Sequence, residues 1–243
     1  MSPPVFLAEP SQLRADMVLL CGAEGRHAAT VRRIRAGERV DVTDGAGQVA
    51  ECVVTGVTPG SLELRVMRHR AEPRPEPTIV VVQAIPKGDR GELAVEMMTE
   101  VGVDVITPWA ASRCVPKWEG ARGGKTLARW RDTAREAAKQ ARRAWLPEVT
   151  PPAQTPAVAA MIQQAARGVV LDPGAALRLA DIPVPSSGRV IIVTGPEGGI
   201  SAAESTALTA AGAMPARLGP SVLRTSTAAA VAAAVLLSRS GRW

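Results

Sequence analysis

Three prolines fall within the seven residues AEPRPEP at Ala71–Pro77, and neither a helix interior nor a central strand can run through such a segment. It reads as a stiff extended linker, so the chain is expected to fold as residues 1–72 and 78–243 joined by 73–77. The two parts are patterned differently. Ahead of the linker, short alternating runs at Arg39–Thr43 and Leu62–Met67, with turn signals at Asp44-Gly45 and Pro59-Gly60, predict a small β-rich barrel holding one helix, His27–Arg35. Beyond it, strands are expected at Ile79–Ile85, Val103–Pro108, Gly168–Leu171, Val190–Val193 and Ala216–Leu218. They alternate with helices at Glu92–Val101, at Thr126–Trp145, from Ala202, and at Thr225–Ser238. That alternation is the pattern of a mostly parallel α/β sheet.

In the long helix, Leu127, Trp130, Ala134, Ala137, Ala141 and Trp145 recur at three- and four-residue steps and mark a stripe to be buried. Arg131, Arg135, Lys139 and Arg142 form a second stripe at the same spacing. The formal net charge of +6 is concentrated here. Residues 1–77 carry ten basic and ten acidic side chains, whereas Arg113–Arg143 carries ten basic against three acidic. Such a block is an electrostatic footprint for nucleic acid, and its bland reading is a solvated helix face.

Composition narrows the chemistry. Three dispersed cysteines and two histidines point to neither a disulfide framework, a zinc site nor a Ser–His or Cys–His hydrolase, and His27 is expected to pack rather than to catalyse. No apolar run reaches the length of a membrane span and the N-terminus has no signal pattern, so a cytoplasmic protein without membrane or metal partners is expected.

The stretch VTGPEGGIS, Val193–Ser201, places three glycines and a carboxylate at the end of a buried strand, where open α/β sheets bind ligands. Ser201 and Glu204 have the spacing of a capping box that opens the next helix. A phosphate-cradling loop would end in GK[ST]; Glu197 stands here instead, and it would repel phosphate but tolerate a sulfonium or an amine. Its alternative role is to cap backbone donors. A second loop, LGPSVLRTSTAAA at Leu218–Ala230, again joins a short strand to a helix. The loop after the first strand, QAIPKGDRGE, lacks the glycine pattern of dinucleotide folds.

These residues, taken in order, resemble the SPOUT methyltransferases and more closely the ribosomal RNA small subunit methyltransferase E family. The matching motifs are KGDR at Lys87–Arg90, TExG at Thr99–Gly102, the Arg113–Trp118 segment, EAxxQ at Glu136–Gln140 with Arg143, GPEGG at Gly195–Gly199, and LGxxxLRTxTA at Leu218–Ala228. His27, Val31, Arg33, Gly37 and the Asp44-Gly45 turn also fit. The resemblance implies a trefoil-knotted, mostly parallel sheet with helices on both faces, an N-terminal PUA-like β-barrel, a homodimer, and S-adenosylmethionine held by the knot loops. It implies methylation of N3 of a uridine in 16S ribosomal RNA, within the small ribosomal subunit.

Carried over, Gly195, Pro196, Glu197, Gly198, Leu218, Gly219, Leu223, Arg224, Thr225 and Ala228 would surround the cofactor, with Leu171 on the same wall. Arg33, Lys87, Arg90, Arg113, Lys117, Arg131, Arg135, Lys139 and Arg143 would meet RNA. Arg224 is the candidate for stabilising the uridine anion, or else it braces the loops; Glu197 is not expected to be the base. The chain departs from the family at Ser226, where Glu is usual, Ser221 (Arg), Met97 (Lys), Arg32 (Leu) and the Pro3–Phe6 start. The alternatives are a SPOUT enzyme acting on another RNA, such as a transfer RNA ribose, a non-catalytic RNA-binding assembly factor, and a phosphotransferase, which the missing GK[ST] disfavours.

Overall fold

The computed structural model describes residues 3–243, which fall into two compact units. One runs to Arg74 and also takes in Ala138–Leu146; the other comprises Pro75–Ala137 and Pro147–Trp243.

The first unit is built on β1 (Val5–Leu7), β2 (Met17–Leu20), β3 (Arg39–Thr43), β4 (Gln48–Thr58) and β5 (Ser61–Ala71), in the sheet order β1-β3-β4-β5-β2. All its pairings are antiparallel except β1 with β3. Alternation buries Val40 and Val42 of β3 and Leu62 and Leu64 of β5 around Phe6, while bulges at Glu51/Cys52 and Val54/Gly56 bend the long hairpin. The helix expected at His27–Arg35 begins earlier, as α1 (Gly22–Arg26), continues through a π-turn at His27–Val31, and gives way to Arg33 at φ 53°. Two glycines hide this start. Gly25 is required there, because a Cβ would lie 2.5 Å from the carbonyl oxygens of Leu20 and Gly60. His27 packs its ring against Phe6 at 6.3 Å.

In the second unit β6 (Thr78–Ala84), β7 (Val105–Trp109), β8 (Glu148–Val149), β9 (Arg167–Leu171), β10 (Arg189–Thr194) and β11 (Ala213–Ala216) form one sheet in the order β11-β9-β10-β6-β7-β8, and every pair is parallel. Helices cover both faces. On one, Ile79, Val81, Val190 and Ile192 meet α2 (Arg90–Val101), α3 (Gly120–Gln140) and α6 (Thr225–Arg239). On the other, Val80, Val82, Ile191 and Val193 meet α4 (Thr155–Gln163) and α5 (Ala202–Ala210). Burial on both sides is why β6 and β10 read as unbroken apolar runs rather than alternating ones. Small side chains at Ala229, Ala232 and Ala233, all fully buried, let α6 lie close against α2 and the sheet.

In this unit two expectations shift and one helix is added. The strand placed at Ala216–Leu218 lies at Ala213–Ala216; it is an edge strand, the one place where Pro215 is tolerated, and Leu218 is thereby freed for the loop. Helix α4, opened by a proline in its first turn, was not anticipated. The long helix spans Gly120–Gln140, not Thr126–Trp145. It ends in a Schellman motif: Arg143 N–H donates to Ala138 O at 2.9 Å, Arg142 N–H donates to Lys139 O at 3.1 Å, and Arg142 takes the left-handed conformation at φ 55°. An arginine there carries no sequence signal for termination. Trp145 consequently leaves the helical stripe, pairs backbone at Ala46, and donates its Nε1–H to Glu72 O at 3.0 Å within the first unit.

Candidate active site

The site lies in the second unit, at the carboxyl ends of β9, β10 and β11, where the loops after β10 and β11 enclose a cavity of about 630 Å³. The β10 loop is tied down from three sides. The Ser201–Glu204 capping box forms as expected, with Ser201 Oγ accepting from Glu204 N–H and the Glu204 carboxylate accepting from Ser201 N–H. That carboxylate also accepts from Ser112 N–H at 2.7 Å, Ser112 Oγ–H at 2.8 Å and Thr155 Oγ1–H at 3.3 Å. Burial pushes its pKa up, but the hydrogen bonds from Ser201 and Ser112 outweigh burial and hold it down at about 2. Glu197 accepts from Lys87 N–H at 3.2 Å, which fits the capping alternative, and Arg113 Nη1–H donates to Gly198 O at 3.0 Å.

The second loop is joined to the first at its root. Thr225 Oγ1–H, in the first turn of α6, donates to Gly195 O at 2.7 Å and accepts from Gln83 Nε2–H at 2.9 Å. Arg217, the residue after β11, reaches back to the carbonyl oxygens of Ala175 and Ala176 at 2.6 and 2.7 Å. Both loops are therefore held in place by hydrogen bonds within the unit, as a preorganised binding site requires.

Leu171, Gly195, Pro196, Glu197, Leu218, Gly219, Leu223, Arg224, Thr225 and Ala228 line the cavity. Gly198 does not: it faces Arg113, whose Cβ lies 3.4 Å from where a Gly198 Cβ would be, so the motif's fourth residue serves the loop's outer side. Sequence reasoning missed Asp172, Thr194 and Ile200, and assigned Arg90 to RNA although it too lines the cavity. Asp172 and Thr194 each stand directly beside a residue that was singled out, and end-of-strand position is the signal that would have found them. The cavity has a polarity gradient. Val170, Thr194, Ala216, Thr225 and Ala228 are buried and form a mostly apolar floor, whereas Asp172, Glu197 and Arg224 are exposed at the rim. No hydrogen bond or ion pair engages the Arg224 guanidinium among the described residues.

The basic side chains divide. Lys87, Arg113, Lys117, Arg131 and Arg135 are exposed in this unit, with Arg131 Nε–H donating to Val149 O at 3.1 Å. Arg33 is exposed and Arg143 half-buried in the other unit. Lys139 is a correction. Its side chain is only 8% exposed and pairs with Glu24 at 2.8 Å, so the last turn of α3 spends this charge inside the first unit instead of offering it to RNA. Of the departures from the family pattern, Ser226 is buried in α6, Met97 packs against the core, and Ser221 lines the cavity. Among the described residues no cluster of His, Cys, Asp and Glu is arranged to hold a metal, and no helix is long and apolar enough to cross a membrane.

Residues 73–237 match the RNA methyltransferase domain family, and residues 20–67 match the RNA methyltransferase PUA domain family. The chain is 47% identical, over 91% of its length and 86% of the relative's, to ribosomal RNA small subunit methyltransferase E of Mycobacterium tuberculosis. It is 29% identical to the Bacillus subtilis protein of that name, covering 86% of this chain and 85% of the relative. The crystal structure of ribosomal RNA small subunit methyltransferase E from Neisseria gonorrhoeae bound to S-adenosylmethionine superposes with a TM-score of 0.86 at 26% identity, covering 98% of both chains.

Proposed function

The chain belongs to the ribosomal RNA small subunit methyltransferase E family, and from that premise we propose that it methylates N3 of a specific uridine in 16S ribosomal RNA with S-adenosylmethionine as donor. One observation carries the reading: the preorganised cavity between the GPEGG and LGxxxLRTxTA loops, with an apolar floor for a heteroaromatic ring and a charged rim for an amino acid moiety. Leu171, Gly195, Pro196, Leu218, Gly219, Leu223, Thr225 and Ala228 would hold the cofactor there, and its sulfonium supplies an electrophilic methyl group when bound.

The acceptor nitrogen carries a proton and its lone pair is delocalised, so methylation needs the proton removed and the resulting anion stabilised. Arg224 suits the second task. Its exposed guanidinium lies at the cavity rim and can donate to a uridine carbonyl oxygen as charge develops. Glu197 is committed to the Lys87 amide and shapes the loop. N3 lies on the pairing edge, so the uridine must enter unpaired or flipped out.

The basic side chains Lys87, Arg113, Lys117, Arg131 and Arg135 would hold phosphates, and Arg33 and Arg143 would add contacts from the PUA unit. A homodimer, a trefoil knot in the second unit and the assembled small subunit as substrate complete the proposal. The test is methyl transfer to small subunits lacking the modification, followed by reverse transcription. A single cofactor-dependent stop at a uridine is the expected result. A labelled product without such a stop would move the reaction to another position or another RNA.

A further inference from the structure

Two buried polar atoms near the root of the cavity have no hydrogen-bond partner: Thr194 Oγ1 and Gln83 Oε1. They belong to residues at paired register positions, the last residue of β10 and the penultimate residue of β6, and so lie on the same face of the sheet. Thr194 is 3% exposed and lines the cavity, among Val170, Ala216 and Ala228. Its surroundings are fixed. Gln83 Nε2–H donates to both Ala84 O and Thr225 Oγ1, and Thr225 in turn donates to Gly195 O.

A buried hydroxyl left unsatisfied destabilises a fold, whereas valine at the same site has the same shape without that cost. A threonine in an apolar cavity floor, ending the strand that reads Val190-Ile191-Ile192-Val193, is therefore a polar group retained against stability, as happens where a fold meets a ligand. The rim carries the exposed Asp172 carboxylate, which suits the ammonium of an amino acid moiety, so the floor is left to the nucleoside. We propose that the Thr194 hydroxyl hydrogen-bonds the nucleoside portion of S-adenosylmethionine. This rests on the cofactor reading above. It makes Thr194 a binding residue that stands just ahead of the GPEGG motif and outside it.

The experiment uses the full chain and two unreactive probes, S-adenosylhomocysteine and adenosine, titrated calorimetrically into wild type, Thr194→Val and Thr194→Ser. Thr194→Val should weaken both probes about five- to tenfold, as expected for one hydrogen bond. Its ligand-free melting temperature should stay equal or rise, because the orphaned hydroxyl is gone. Thr194→Ser should bind both probes nearly as wild type does. Unchanged affinity in Thr194→Val overturns the proposal, as does a fall in the ligand-free melting temperature alongside affinity, which would make the hydroxyl structural. A loss confined to S-adenosylhomocysteine would overturn the nucleoside assignment. If wild type itself binds neither probe, the cofactor reading fails instead.

Discussion

Replacing Glu204 with glutamine should destabilise the protein at neutral pH, and the deficit should shrink as the solution is acidified. The carboxylate joins the start of α5 to Ser112 and Thr155, and its pKa is held at about 2 against an ordinary 4.5. A folded-state pKa below the unfolded value means that the stabilisation is fully present above pH 4.5 and is lost as the pH falls towards 2. The gap of about 2.5 units corresponds to at most about 3 kcal/mol, of which about 2 kcal/mol is gone by pH 3. Glu204 is 6% exposed, so solvent screening removes little of it. Glutamine cannot titrate, and in either orientation it points its amide donor at a backbone N–H, of Ser112 or of Ser201, that can only donate. For a chain of this size Glu204→Gln should lower the melting temperature by about 6–10 °C at pH 7. The difference from wild type should fall to about half that or less at pH 3. Calorimetric melting of both proteins across that range is the assay, and the difference between them cancels other carboxylates. A deficit that stays constant with pH would refute the argument, because it would show that the shape of the side chain matters and its charge does not.

Gly219→Trp should abolish S-adenosylhomocysteine binding in a titration, since a Cβ there meets nothing within 4 Å and the residue lines the cavity; Gly198→Trp, on the Arg113 side, should reduce affinity far less. Arg224→Ala should lower kcat by about 10²–10³-fold with little change in cofactor affinity, as measured for lost oxyanion donors, and undiminished turnover would remove it from the mechanism. Lys139→Ala should destabilise the first unit by about 1–3 kcal/mol, because it removes a charge-assisted hydrogen bond of 2.8 Å between two largely buried side chains; a change below about 0.5 kcal/mol in denaturant unfolding would restore Lys139 to the RNA-facing set. Removing Lys87 and Lys117 together should reduce the slope of log affinity against log salt for RNA by about 1.4–1.8, as read by filter binding.

The sequence by itself determined the strand and helix alternation, the two cavity loops and the capping box, because each is written locally. Apolar runs mark strands buried on both faces, the Ser201–Glu204 spacing closes hydrogen bonds within one turn, and the glycine-bearing loops follow strand ends. Tertiary structure decided the rest, and it did so where partners are distant in the chain. The end of α3 depends on Arg142 accepting a left-handed conformation, which its residue type does not announce. Lys139 occupies a helical position that reads as exposed, yet Glu24, 115 residues away, removes it from solvent. Gly198 and Arg90 exchanged their expected surroundings, because a motif gives the order of residues but not which side of a loop faces the cavity. The apolar floor and charged rim likewise arise from three strands that are neighbours only in the folded sheet, and Thr194 acquires its unsatisfied hydroxyl only once that sheet has closed around it.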